Sequence, residues 1–417
     1  MLTFVFATLT TLFACPPLEG ALDDVARKVS ALVCEDPQDY EDLFSDEFLQ
    51  EVSSKEIRNL FMQGFKDHGK VAEVRPLDRN GDSSGRFDFV MADRSLVTVT
   101  LHIEAEEPHR ITGLFLGPAR VPMEALEDVV SALKKFPGKV SFKAVRLGDT
   151  PKTLAEVEPD RQLAIGSAFK LYVLGALIED KRKWDEVVTL RDEWKSLPSG
   201  VLQNWPANAP LTLHTLAVEM ISISDNTAAD HLLFAAGREK VEKAMEAMGN
   251  ADAAKSRPFI STLELFKLRS DKDLRKAYLK LDEPGRRAML DKEVKAFGRE
   301  KVAMWVKPGS ISKIEWFASG SDLCKAMDWF RKKNDETAFG VLGVNRGLQV
   351  RKDVWPYCGF KGGSEPGVLN LTYLLKRDDG AWFAVSFGWN DAKNPVQENR
   401  LFALVQVAID LMAKSGR

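Results

Sequence analysis

Leu163-Ala-Ile-Gly-Ser-Ala-Phe-Lys-Leu-Tyr-Val-Leu-Gly-Ala-Leu-Ile178 is an apolar run that carries one amine, Lys170, and one aliphatic hydroxyl, Ser167. Residues three apart share one face of a helix. A helix that is apolar nearly all round is expected to be buried. A buried lysine is costly unless it is paired or does chemistry. A hydroxyl one turn before a desolvated amine is one way to build a nucleophile, because a neutral amine takes the hydroxyl proton.

A Ser-x-x-Lys match alone is weak, and the chain holds two more, Ser131-Ala-Leu-Lys134 and Ser310-Ile-Ser-Lys313, in polar surroundings. Ser167 is set apart by two motifs downstream of it. Ser224-Asp225-Asn226 opens an expected helix that contains His231, and Lys361-Gly362-Gly363 lies on an expected strand. The order S-x-x-K, S-D-N, K-x-G is the signature of penicillin-recognising serine enzymes.

Each part has a physical reason to be there. Ser167 would attack a carbonyl carbon, with Lys170 as base or as the group that tunes one. Ser224 and Lys361 would form a second hydroxyl–amine pair able to relay a proton to the leaving atom. Asn226 donates and accepts, so it would hold both Lys170 and a substrate amide. Lys361 places positive charge where a substrate carboxylate would sit. Gly362 and Gly363 let a substrate backbone lie close along the strand. The backbone N–H groups of Ser167 and Ser364 would form an oxyanion hole.

Plainer readings stand beside these. Asp225 reads as an N-cap of the next helix, and Lys361 alone reads as an edge-strand lysine. His68, His102, His109, His214 and His231 lie outside the motifs, and no Gly-x-Ser-x-Gly elbow is present, which argues against a Ser-His-Asp mechanism.

From about Lys139 onward the chain resembles the class A β-lactamase family. Within it, the chain is most similar to two-domain β-lactamase-like proteins with an isomerase-like N-terminal domain, including a protein encoded with clavulanic acid biosynthesis and related envelope lipoproteins. Leu163–Lys170, Ser224–Leu233, Pro258–Leu268 and Phe360–Leu369 carry the resemblance. It implies a sandwich of an antiparallel sheet and a helical block (α+β, or α/β in a looser sense), and acyl-enzyme formation on a β-lactam or a related amide or ester.

Two departures limit that expectation. The family's Glu-x-x-Leu-Asn pattern, whose glutamate activates the deacylating water, is absent from Ala251-Asp-Ala-Ala-Lys-Ser-Arg-Pro-Phe-Ile-Ser-Thr-Leu-Glu264. Glu264 falls in the next helix and is not given that role. Gly362 also replaces the hydroxyl residue of K-T-G. The expectation is a serine hydrolase with weak or atypical β-lactamase or esterase turnover. A non-catalytic cell-envelope binding protein and a DD-peptidase remain as alternatives.

The 417 residues divide into an expected leader at 1–20, a small α+β domain at 21–120 and a β-lactamase-like domain at 121–417. In the second segment, helical periodicity at Leu22–Val33 and Ser54–Asp67 precedes β-like runs at Val71–Arg75, Arg86–Met91, Ser95–Ile103 and Arg110–Leu116. That order resembles the cone-shaped fold of nuclear-transport-factor-like (NTF2-like) and ketosteroid-isomerase-like domains. Alternation along strands would let Asp88, Asp93, His102 and Glu104 line its pocket, though the plainer reading has several of them facing solvent.

Met1–Ala14 is apolar apart from four threonines, and Leu12-Phe13-Ala14-Cys15 resembles a lipoprotein cleavage box. Export to the periplasm or cell envelope, with a lipid anchor at Cys15, is the expectation. Cys34, Cys324 and Cys358 show no metal-ligand spacing and read as buried thiols. A net charge of −3 gives no reason to expect a nucleic-acid partner. No metal or cofactor is called for, and a monomer is expected. Asp271–Lys307, dense in both charge signs, reads as a solvated helical hairpin, with a lid over the site as the sharper alternative.

Overall fold

The structure is a computed structural model that describes residues 20–33, 40–63, 65–117, 119–120 and 122–416. The expected leader with Cys15, together with Cys34, lies outside the described residues. The chain divides into two compact units between Met123 and Glu124.

The first unit places helices α1 (Ala21–Leu32), α2 (Asp46–Glu51) and α3 (Ser54–Gln63) before strands β1 (Val71–Arg79), β2 (Ser84–Met91), β3 (Leu96–Ile103) and β4 (Ile111–Leu116). The strands form one antiparallel meander in the order β1-β2-β3-β4. β1 continues past Pro76, which an edge strand tolerates because one side of its backbone needs no ladder partner. Phe87, Phe89, Val97, Val99 and Leu101 face inward with Leu22, Val25, Val29 and Phe61 to make the core. The opposite face carries Asp88, which accepts from Thr98 Oγ1 at 2.7 Å and pairs with Arg120 at 2.7 Å. Of the four residues considered for a pocket, Asp93 and His102 face solvent, as the plainer reading expects. Asp93 sits in the turn after β2, held by Ser95 and His68, and His102 is exposed.

The second unit runs α4 (Leu126–Leu133), β5 (Lys139–Leu147), β6 (Lys152–Val157), β7 (Leu163–Ala164), α5 (Lys170–Glu179), β8 (Val187–Thr189), β9 (Pro210–Thr212) and α6 (Leu213–Ser222). It continues with α7 (Asn226–Ala236), α8 (Arg238–Ala247), α9 (Thr262–Ser270), α10 (Lys272–Lys280), α11 (Glu283–Met289), β10 (Phe317–Ala318), α12 (Gly320–Lys333) and α13 (Glu336–Gly343). Strands β11 (Tyr357–Glu365), β12 (Val368–Lys376) and β13 (Trp382–Asn390) and helix α14 (Glu398–Met412) complete it. Five strands form an antiparallel sheet in the order β11-β12-β13-β5-β6. Eight consecutive residues of β12, Val368–Leu375, are buried, as expected of a strand covered on both faces.

Helix α12 packs on the sheet and links it to the helical block, while α4 lies beside β6 and α14. Every residue of α5 from Lys170 to Leu177 is buried, so the apolar run is the central helix of the block. The charged segment 271–307 is helical at 272–280 and 283–296, but Tyr278, Met289, Leu290 and Val294 anchor it in the main core rather than leaving it solvated throughout. Among the described residues, no helix is long and apolar enough to cross a membrane. Cys324 and Cys358 are buried free thiols.

Candidate active site

Ser167 sits in a 3₁₀ turn, Gly166–Phe169, that leads directly into α5. Gly166 has φ +48°, the left-handed region, and there the chain swings from β7 into that turn. Strand β11 lies against the turn. A Cβ on Gly363 would stand 2.1 Å from Ile165 O and 2.7 Å from Ser167 N, so only glycine permits this approach. Ser364 N in turn lies 3.2 Å from where a Cβ on Gly166 would be. The amides of Ser167 and Ser364, 197 positions apart in sequence, are thereby neighbours.

Lys170 is fully buried and its Nζ meets four oxygens: Ser224 O at 2.6 Å, Asn226 Oδ1 at 2.7 Å, Ser224 Oγ at 3.1 Å and Ser167 Oγ at 3.2 Å. Burial first, and the charge of Lys361 second, hold its pKa well below the ordinary lysine value, against the pull of Asp225 and Asp230. A neutral amine has two N–H donors and one lone pair. The carbonyl of Ser224 and the amide oxygen of Asn226 are the two shortest acceptors. They can occupy the donors and leave the lone pair to the hydroxyls.

Ser224 Oγ is the junction of the site. It lies 3.1 Å from Lys170 Nζ and 3.0 Å from Lys361 Nζ. Ser224 itself has φ +59°, an uncommon backbone state for a residue with a side chain. Its carbonyl is pinned from two sides, by Lys170 and by Ser199 Oγ at 2.7 Å. Lys361, in the middle of β11, also donates to Gly362 O at 2.7 Å, and burial brings its pKa down to about 7.

Asp225 does not face the cleft. One carboxylate oxygen caps α7 through Ala228 N at 2.8 Å, and the other accepts from Val201 N and Leu202 N at 2.6 and 2.9 Å. His231 is packed in the core and does not touch the motif serines or lysines. Its Nε2 accepts from Arg191 N at 2.8 Å, its Nδ1 bonds Thr227 O at 2.7 Å, and burial lowers its pKa. A cavity of about 530 Å³ lined by Val145, Met248, Cys324 and Trp329 includes none of the motif residues.

Ser167, Lys170, Ser224, Asn226 and Lys361 are thus joined by direct contacts, and Gly363 and Ser364 flank the Ser167 turn. Gly362 contributes its carbonyl to Lys361. Glu264 is occupied elsewhere, capping Ser261 N at 2.7 Å and pairing with Arg238 at 2.8 Å. Among the described residues no carboxylate is hydrogen-bonded to Ser167, Lys170, Ser224 or Lys361, and no group of His, Cys, Asp and Glu is arranged to hold a metal ion.

Three supporting residues escaped the sequence reading. Asp230, four positions after Asn226, accepts from Thr262 N, Thr262 Oγ1 and Leu263 N at 2.7, 2.8 and 3.0 Å, tying α9 to α7. Burial lifts its pKa to about 7. Glu315 accepts from Gly166 N at 3.3 Å, and Arg269 pairs with Glu315 at 3.3 Å. A carboxylate inside the apolar run Ile314-Glu-Trp-Phe-Ala318 was the available signal, since an acid there must be buried with a partner.

Residues 122–287 match the family model described as the beta-lactamase enzyme family. The match contains Ser167, Lys170, Ser224 and Asn226 and ends before Lys361. Similar solved structures include a β-lactamase from Sphaerobacter thermophilus DSM 20745, 19% identical with a TM-score of 0.48, covering 70% of this chain and 95% of that one. A structure described as PBP-A is 14% identical with a TM-score of 0.46, covering 69% and 94%. A β-lactamase from Francisella tularensis is 15% identical with a TM-score of 0.47, covering 69% and 98%. No curated protein sequence matches the chain.

Proposed function

We propose that the protein is an acyl-transfer hydrolase in which Ser167 attacks β-lactams or related amides and esters, and that water removes the acyl group slowly. The observation that carries this reading is the buried Lys170 amine, 3.2 Å from Ser167 Oγ and depressed in basicity by burial and by Lys361.

Neutral Lys170 takes the Ser167 proton as Oγ bonds to the carbonyl carbon. The oxyanion rests on the N–H groups of Ser167 and Ser364. When the carbonyl carbon–nitrogen or carbon–oxygen bond breaks, the leaving atom takes the Ser224 proton, and the Lys170 ammonium replaces it. Lys361, charged, attracts a substrate carboxylate. Nothing among these contacts supplies a second base for water, and a missing general base costs about 10²–10⁴-fold in rate. Export and lipidation at Cys15 belong to the same reading and rest on the sequence alone.

Intact-mass measurement after incubation with a penicillin or an activated ester tests it. An adduct on Ser167 that persists, and that Ser167→Ala abolishes, is expected. Absence of both adduct and hydrolysis, at high pH as well, overturns it. Release of D-alanine from a peptide ending in D-Ala-D-Ala would reassign the substrate to cell-wall peptides.

A further inference from the structure

The β7–β10 pair sets Phe317 opposite Ala164, and Ile165 N donates to Trp316 O at 3.1 Å. This brings Glu315 beneath the nucleophile turn. One oxygen of Glu315 accepts from both Gly166 N, at 3.3 Å, and Trp316 N, at 3.0 Å. Its other oxygen meets Arg269. Arg269 is itself almost fully buried. It donates to Ile314 O through Nε and Nη2, at 3.1 and 2.7 Å, and its Nη1 pairs with Glu365. Glu365 is the residue after Ser364. One guanidinium therefore holds a carboxylate bonded beside Ser167 and a carboxylate adjoining Ser364.

We infer that Glu315 is a positioning residue for acylation: held by Arg269, it fixes Gly166 in its left-handed state and so aims the Ser167 amide, while the same arginine ties down the Ser364 side through Glu365. This rests on the acyl-transfer reading of Ser167. Glu315 touches neither the Ser167 hydroxyl nor the motif lysines, so it acts through the backbone. Buried ions are retained at a cost, and this cluster sets two buried carboxylates on one cation. Burial and the Glu365 charge both raise the Glu315 pKa, so the cluster keeps a proton more readily than isolated carboxylates would. The contact to Gly166 needs an oxygen acceptor and no charge. An amide in its place would keep the backbone bond.

The test compares Glu315→Gln with Glu315→Ala, and with Glu315→Met, which fills the volume and leaves the Arg269–Glu365 pair intact. Expected is acylation within a few-fold of wild type for Glu315→Gln. For Glu315→Ala and Glu315→Met a loss on the order of 10–100-fold is expected, as for a misplaced oxyanion donor. Substrate binding in a Ser167→Ala background should stay unchanged in all three, and hydrogen exchange of peptide 163–170 should speed up only in the two variants without an acceptor. Wild-type acylation together with wild-type exchange in folded Glu315→Ala or Glu315→Met overturns the proposal. If wild-type protein forms no adduct at all, the acyl-transfer reading fails, and exchange of peptide 163–170 alone decides whether Glu315 holds the turn.

Discussion

Asn226 Oδ1 accepts a hydrogen bond from Lys170 Nζ at 2.7 Å, so the buried amine is held by a neutral amide rather than by a carboxylate. That choice keeps the amine free of a counter-ion at its shortest side-chain contact. Asn226→Asp would put a negative charge there and favour the ammonium. Acylation at pH 7 should fall about 10–100-fold, and the rising limb of its pH profile should move to higher pH by about one unit or more. Stopped-flow acylation across pH reads both.

The two lysines predict the shape of the wild-type profile. Lys170 must be neutral to accept the Ser167 proton, so the rate rises with pH as it loses its own. Lys361, brought to about 7 by burial, loses the charge that attracts a carboxylate as pH rises further. A carboxylate-bearing β-lactam should therefore show a falling limb near pH 7 that a neutral ester lacks. In Lys361→Gln the falling limb should vanish. The rising limb should also shift upward, because a like charge that depresses Lys170 has gone. Interacting amines titrate as a pair, so the limbs report apparent values.

Gly363→Ala should separate acylation from folding. The new Cβ would collide with Ile165 O and approach Ser167 N. Overpacking of this kind costs about 1–3 kcal/mol, whereas displacement of β11 from the nucleophile turn should reduce acylation by at least about 100-fold. Thermal unfolding and adduct formation measured on one preparation would show the two effects.

Asp225→Ala should act through stability. It removes an N-cap and leaves the N–H groups of Val201 and Leu202 without their acceptor. A loss of about 2–4 kcal/mol in urea unfolding is expected, because the loop it anchors also positions Ser199 on Ser224 O.

The motif residues were legible because each motif is a short local word with its own chemistry, and the apolar run around Lys170 announced a buried amine. The relation among Ser167, Lys170, Ser224, Asn226 and Lys361 emerged once three words were read in order. Glu315 and Arg269 were not legible as partners. Their pairing spans 46 positions, and Glu315 reaches Gly166 across 149. No periodicity encodes such contacts. Strand β6 carries little legible signal, because KTLAEV lies at the sheet edge, with mixed exposure and little alternation. In the first unit the plainer reading holds for Asp93 and His102, which face solvent, because strand alternation fixes a face but not a common location: Asp93 lies beyond the end of β2.

The order of the sheet has a consequence for synthesis. Strand β5 is hydrogen-bonded to β13 along its whole length, Val140 facing Trp389 and Leu147 facing Trp382. Contacts between such remote segments form late and slowly. A nascent chain that has presented Ser167 and Lys170 still lacks β11 through β13, and with them Lys361, the Ser364 amide and the wall against which the Ser167 turn is set. The set of residues is therefore completed only when translation has delivered residues 357–390, and a product truncated before them carries Ser167 and Lys170 without Lys361 or the Ser364 amide.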